Sequence, residues 1–509
     1  MNIVFSRLLL FLLPMYFSLI PSNQGESSIQ FKLQLATIED LEREDKNFLL
    51  SEHIFSINGE KKFKIFFDDY EQLEKYKSFY DIRAKKLFIH KQQKKTWTIL
   101  VYIAGDNDLY KYAIRNLEQL QHVGSNEYLN IVVHFDFKQK GRKKESKRFF
   151  VEKNNLLQIG DIPAGDSGEA ENLISAAEWA IKNYPSQYFG LVLWNHGTGP
   201  YDPDLFNYNY NKQLKPNDFF FFDRENKKIS INRNIEFFDM LHTPQERGIC
   251  FDDTTRNYLS SKKLTTALSS ICKLRSGEKI DIIMMDACLM AGIEIAHDCS
   301  KYAKILTASE EVVLGPGYNY STMLKILAKE KITPYNFAIH VVKTYQQTYG
   351  PIANDFTQSA INLVAVDEAI ELYSKIVSLM IELHQQDKKE NFKKLLKISG
   401  SKEMVTHFAE PSYIDLKHFL ENILYNLSHY LKNKFFDIKD YPRIKELKTA
   451  IENFLQIYPK LIIANCRGQY VPNASGLFVY FPTKRLERGY KNEFATKTRW
   501  IQFLQQLFS

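Results

Sequence analysis

Five apolar, β-rich runs alternate with stretches of helical period, and this rhythm constrains the fold more than any other feature. The runs are "WTILVYIAG" (97–105), "LNIVVHFDF" (129–137), "YFGLVLWNHG" (188–197), "KIDIIMMDACL" (279–289) and "AKILTAS" (303–309). They are apolar almost throughout instead of alternating with polar residues, as expected for strands covered on both faces. Between them lie helical stretches at 108–122, in "SGEAENLISAAEWAIKNY" with Ser167 and Glu171 near its start, in "SKKLTTALSSICKL" and in "AGIEIAHDCSKY". Strand, helix, strand in this order predicts an α/β fold, a mostly parallel sheet flanked by helices. Beyond Thr333 the chain is mainly helical and closes on a strand in "SGLFVYFP".

Four segments follow from the pattern. Residues 1–22 contain Arg7 and then a thirteen-residue apolar run, Leu8 to Ile20, too short to span a bilayer comfortably and ordered like a secretory signal, although no clean A-x-A site follows. The chain is therefore expected to be exported, with no stable membrane span beyond that segment. Residues 23–92 are charged and mixed, and read as a pro-region or accessory segment. Residues 93–332 form the core, interrupted by an Asn-, Phe- and Lys-rich insertion at 201–248, and residues 333–509 complete the same unit. Lys and Arg total 67 against 60 Asp and Glu, and a net charge of +7 spread this widely gives no reason to expect nucleic acid. The basic stretch "KQKGRKKESKR" (138–148) has no interleaved aromatic residue and reads as a solvated hairpin tip.

Reactive groups in open parallel sheets collect at the carboxyl ends of strands. Two runs end on such groups: His196 after "FGLVLWN" and Cys288 after "DIIMMDA". A thiol becomes an effective nucleophile beside a base or cation, and imidazole supplies either. The five cysteines are an odd number with no C-x-x-C spacing, which leaves a free thiol and argues against both a disulfide scaffold and a zinc site. Cys272 and Cys299 fall in helical patterns, Cys250 and Cys466 in short apolar stretches. Gly197 and Gly199 would let a substrate backbone approach. On an extended strand, residues two apart point the same way, which places the Asp286 carboxylate on the side of Cys288. Unpaired, it would raise the thiol pKa, so either a substrate cation meets it or it is a buried acid bonded to backbone amides.

With these residues in view, the sequence resembles the clostripain family of cysteine peptidases, relatives of caspases, gingipains and legumains. The resemblance rests on "LVLWNHGTG" and "IIMMDACLM", supported by "WTILVYIAGDNDL", "RGICFDDTTRNYLS", "ASEEVVLGPGYNY" and "NASGLFVYFP", and covers the chain from about Thr96 onward. It implies a caspase-like fold and endopeptidase action on Arg-X or Lys-X bonds in a protein or peptide substrate. Cys288 would attack the scissile carbonyl, His196 would protonate the leaving amine, and the amides of Gly197 and Cys288 would hold the oxyanion. Asp286 matches a family acid in the specificity pocket. The chemistry needs no cofactor; calcium is implied as a structural or activating ion whose ligands the sequence leaves unknown. A monomer is expected, two-chained after self-cleavage.

Three departures stand out. His196 and Cys288 are separated by 92 residues because of the insertion, whose Lys215, Arg224, Lys227, Lys228, Arg233 and Arg247 suggest a maturation clip. A second acid expected in the glycine-rich loop aligns with Pro316, which weakens the preference for basic residues. Residues 23–92 have no counterpart. The rivals are a silent, exported binding module on the same fold and a phosphate-binding α/β protein. The second fails, since "IAGDND" is a poor anion cradle and no G-x-x-x-x-G-K-S/T occurs.

Overall fold

The computed structural model describes three strands within residues 33–66, and residues 94–508 apart from 201–218, 236, 238–247, 388, 434–435, 437–440, 483–484 and 487–489. The expected signal segment lies outside the described residues. By internal contacts the chain divides into two compact units, Met1–Gln93 and Lys94–Ser509. The first holds strands β1 (Leu33–Ala36), β2 (Glu52–Ile57) and β3 (Lys61–Phe66), an antiparallel sheet with β3 central.

The second unit is built on nine strands. In chain order they are β4 (Lys95–Gly105), β5 (Leu129–Phe137), β6 (Glu145–Glu152), β7 (Asn155–Gln158), β8 (Ser186–Trp194), β13 (Ile282–Asp286), β14 (Ile305–Ala308), β15 (Thr357–Asn362) and β17 (Ile462–Arg467). Two short hairpins interrupt them, β9 (Phe220–Asp223) with β10 (Lys228–Ile231) and β11 (Ile249–Asp252) with β12 (Asn257–Leu259); β16 (Tyr413–Asp415) pairs with β18 (Phe478–Tyr480). Spatially the nine run β17-β15-β14-β13-β8-β4-β5-β6-β7. The five apolar runs found in the sequence are the central strands, all parallel. The flanks are antiparallel: β6 and β7 fold back through the 138–144 turn, and β15 and β17 are supplied by the helical C-terminal region.

Strand β4 shows why these runs are apolar on both sides. Leu100, Tyr102 and Ala104 join one core, and Trp97, Ile99, Val101 and Ile103 join the other. The first core is covered by α2 (Ala170–Asn183), α3 (Ser261–Leu274), α4 (Ile293–Ser300) and the C-terminal helices α7 (Val366–Gln386), α8 (Asn391–Ser399), α9 (Leu416–Lys432) and α10 (Tyr441–Leu461). The second is covered by α1 (Tyr110–Val123), α5 (Tyr320–Leu324) and α6 (Pro334–Tyr349). With helices on each face, burial of both side-chain rows offsets the entropy of ordering the sheet. Ser167 does not cap α2, as its hydroxyl donates to Asp136 at 3.0 Å and the helix starts three residues later.

Candidate active site

Parallel pairing of β8 with β13 brings the two reactive strand ends together. Their register runs from Gly190 opposite Ile282 to Trp194 opposite Asp286, so two further residues on each strand reach His196 and Cys288. A Cβ placed on Gly197 would lie 2.4 Å from the Cys288 carbonyl oxygen and 3.0 Å from the Ala287 Cβ. The His196-Gly197 step thus lies directly against the Ala287-Cys288 step, and only glycine fits there. Gly197→Ala is expected to lower kcat/KM by about 10²-fold, the scale of losing one oxyanion donor, because the methyl pushes the Cys288 backbone aside. Kinetics on a fluorogenic peptide, with an unchanged near-UV spectrum, checks this.

Cys288 is 6% exposed. Its sulfur accepts from the Val313 amide at 3.3 Å and donates to the Val313 carbonyl at 3.7 Å. Burial pushes the thiol up to about 12, Glu311 and Asp286 add to the rise, and the Val313 amide opposes it. The group is a thiol at neutral pH and must lose its proton to react. The turn that carries it is strained, since Leu289 sits at φ 57° and is held there by its amide, which donates a hydrogen bond to the Glu311 carbonyl at 3.2 Å.

His196 is 21% exposed, and its Nε2 lies 2.7 Å from Asp108 Oδ1. The sequence reading missed this partner, which arrives from 88 residues upstream on the loop after β4. That loop is braced. Asn107 donates to the Ala104 and Phe251 carbonyls, Asn195 donates to Ala104, and the Phe251 amide donates to Asn195 Oδ1 at 2.8 Å. Lys144 joins the brace through Asp252 and, at 3.7 Å, Asp106. The basic hairpin tip is therefore not wholly solvated, because one lysine reaches back to two buried acids. The structure brings imidazole and thiol to neighbouring strand ends without joining them: the bonds are to Asp108 and to Val313. Asp108→Asn should lower kcat about tenfold, roughly 1.4 kcal/mol of transition-state stabilisation, through looser orientation of the ring. Equal loss in kcat and kcat/KM, with KM unchanged, is the expected signature.

Asp286 departs from the expectation that it shares the side of Cys288. Strand β13 ends at Asp286, and residues 287–289 turn, so the two-residue alternation stops there. Ile282 and Met284 belong to one core and Cys288 to the other. The carboxylate is 4% exposed and accepts from the Tyr318 amide at 3.0 Å and the Tyr320 hydroxyl at 2.8 Å. It is thus a buried acid bonded to a backbone amide, yet no ion pair among the described residues reaches it. Burial pushes it up to about 7, against those two bonds. Gly317 covers it, since a Cβ there would come within 2.5 Å of both carboxylate oxygens. Pro316 precedes that glycine, half-buried, and its carbonyl accepts from Asn116 at 3.1 Å, while Asn116 also accepts from the Trp194 indole at 2.9 Å.

The family model for the clostripain family matches residues 101–229 and 237–458. The chain belongs to the clostripain family. It is a cysteine-type peptidase, and a peptide or protein is its substrate. Among solved structures, the chain is similar to a secreted C11 cysteine protease from Bacteroides thetaiotaomicron bound to an irreversible peptide inhibitor. The two are 17% identical with a TM-score of 0.51 over 80% of this chain and 99% of the other. A structure of a secreted C11 cysteine protease from the same organism, called iotapain, is 12% identical with a TM-score of 0.51 over 82% of this chain and 100% of the other. No curated protein matches the chain.

Within this clostripain-family fold, the insertion's basic residues have distinct positions. Arg224, Lys227 and Lys228 lie on the β9–β10 hairpin, Arg233 is held in ion pairs, and Lys215 and Arg247 lie outside the described residues. All five cysteines are free. Asp106 and Asp252, on the loops beside the site, already share Lys144 as their counter-charge. Among the described residues no group of three or more His, Cys, Asp or Glu could hold a metal. No helix among them is long and apolar enough to cross a membrane.

Proposed function

We propose that this clostripain-family peptidase is an exported endopeptidase that cleaves after Arg or Lys through Cys288 and His196. The observation that carries the reading is the pairing of β8 with β13, which sets His196-Gly197 against Cys288 and leaves Asp286, without a counter-cation among the described residues, at the end of the second strand. As the Cys288 sulfur attacks, its proton passes to His196 and a C–S bond forms. The electron pair moves to the carbonyl oxygen, held by the amides of Gly197 and Cys288. Collapse breaks the C–N bond, and the His196 proton leaves with the amine. Water then cleaves the thioester, returning the thiol and releasing the acid. Asp286 would receive the substrate guanidinium or ammonium. The steps require no metal; calcium enters only as a structural or activating ion.

Export rests on the N-terminal apolar run, and both similar structures described above are of secreted proteins. The active form is taken to be a monomer, two-chained after a clip in the insertion, and an active enzyme that stays one chain would sink that part. A second reading, a peptidase with uncharged P1 preference, is favoured by Pro316 at the acid-free position and by Gly317 covering Asp286. Two matched fluorogenic peptides, ending in Arg and in an uncharged residue, separate the readings with and without calcium. Cleavage of the Arg peptide alone, lost in Cys288→Ala, is the expected result. Cleavage of the uncharged peptide moves the specificity, and no cleavage of either after trial clipping favours a silent binding module.

A further inference from the structure

Arg233 belongs to the insertion, outside every motif of the site, yet it reaches behind the catalytic loop. Its guanidinium lies 2.7 Å from Glu311 and 2.6 Å from Asp355. Both carboxylates are buried, Glu311 completely. The arginine is delivered by the β9–β10 hairpin, which docks on the segment before β15. Ile229 donates to the Ile352 carbonyl, Asn354 donates to the Ile229 carbonyl, and the Ile231 amide donates to Asp355 at 3.0 Å.

Glu311 is the centre of the loop that holds the thiol. Its carboxylate accepts from the Val312 amide at 2.9 Å and the Ala409 amide at 3.0 Å, and its carbonyl accepts from the strained Leu289. Two residues on, Val313 makes both bonds to the Cys288 sulfur. A buried carboxylate so placed needs a counter-charge, because two uncompensated acids in a low-dielectric interior repel each other and any thiolate nearby. The charged groups facing Glu311 are Arg233 and Asp355. Glu310, paired with Asp415, and the Cys288 thiol also feel its charge, and Asp286 acts on the same thiol.

We propose that Arg233 is a positioning residue for the nucleophile: it neutralises Glu311 and Asp355, fixes the loop whose Val313 holds the Cys288 sulfur, and so makes the reactivity of the thiol depend on the docked insertion. The proposal rests on Cys288 being the nucleophile. It also sets Arg233 apart from the insertion's other basic residues, since a cut after Arg233 requires breaking two ion pairs first.

The test is the rate of Cys288 alkylation by iodoacetamide between pH 6 and 10, read by peptide mapping so that the other four cysteines are separated. It is run beside kcat/KM and circular dichroism. Arg233→Ala should shift the alkylation profile up by about one pH unit, a tenfold slower reaction at a given pH. Arg233→Lys should recover most of that loss, and Arg233→Ala with Glu311→Gln should recover it by removing the stranded charge. Glu311→Gln alone should shift the profile down. A loss of fold in Arg233→Ala would move the profile down, towards an exposed thiol, so the two causes differ in sign. A folded Arg233→Ala with the wild-type profile overturns the proposal, as does an equal loss in all three Arg233 variants. If wild-type Cys288 alkylates but no peptide is cleaved, the peptidase reading fails while the alkylation profile still decides the role of Arg233.

Discussion

Cys288→Ala removes peptide cleavage by about 10⁴-fold or more while the protein stays folded, the scale of losing a covalent nucleophile. The change takes away one sulfur atom from a buried turn, and the bonds it breaks are those to Val313. Leu289 and Glu311 keep the backbone in place, so circular dichroism and the melting temperature should barely move. Burial holds the thiol near 12, so the reactive thiolate fraction of the free enzyme grows with pH across the neutral range. Wild-type alkylation at Cys288 should therefore rise from pH 6 to 10 without levelling. Cys299 and Cys466 are also buried and raised, yet neither lies on the paired β8 and β13 ends: Cys299 is in α4, and Cys466 is in β17, the outer strand separated from β13 by β15 and β14. Alanine at either should leave kcat unchanged, and a comparable loss there would remove the case for Cys288.

Asp286→Asn carries the second large effect, and it works in two directions. The folded protein keeps the Asp286 proton up to about pH 7, whereas an unfolded chain releases it near pH 4. Between those values the folded state binds more protons, so its stability falls as pH rises, by on the order of 4 kcal/mol in all. Asparagine cannot ionise and still accepts a bond from Tyr318 or Tyr320, so Asp286→Asn should melt higher than wild type at pH 8 and nearly equal to it at pH 4. The same change should lower kcat/KM for the Arg peptide by about 10²–10³-fold, the cost of burying a substrate cation without its partner. Binding of an Arg-ended inhibitor to wild type at pH 7, where Asp286 is about half protonated, should release about half a proton, read by calorimetry in two buffers of different ionisation enthalpy. A variant that keeps its Arg preference and shows no proton release would reduce Asp286 to a structural acid.

A residue that costs stability when empty and repays it when a cation arrives is the expected form of a specificity acid. On the proposed reading, the cover over it, Gly317 with Pro316 before it, would have to move before a substrate side chain entered. The anchors of that loop are the Tyr318 amide on Asp286 and the Asn116 amide on Pro316. Loop position and pocket charge are therefore linked through the same few bonds.

The sequence by itself determined the central parallel strands, the helices between them and the two reactive strand ends. Each of these is a statement about one-dimensional burial: a run apolar on both faces must be a covered strand, and a Cys or His at its end must lie at the sheet's carboxyl edge. Only the tertiary structure decided the partners. Asp108 meets His196, Val313 holds Cys288, Lys144 lies beside Asp106 and Asp252, and Arg233 stands behind Glu311, each across a gap in sequence that periodicity does not encode. Asp286 marks the boundary between the two kinds of knowledge. Alternation placed it beside Cys288, but alternation holds only while the backbone stays extended, and the turn that begins after Asp286 sends thiol and carboxylate into different cores.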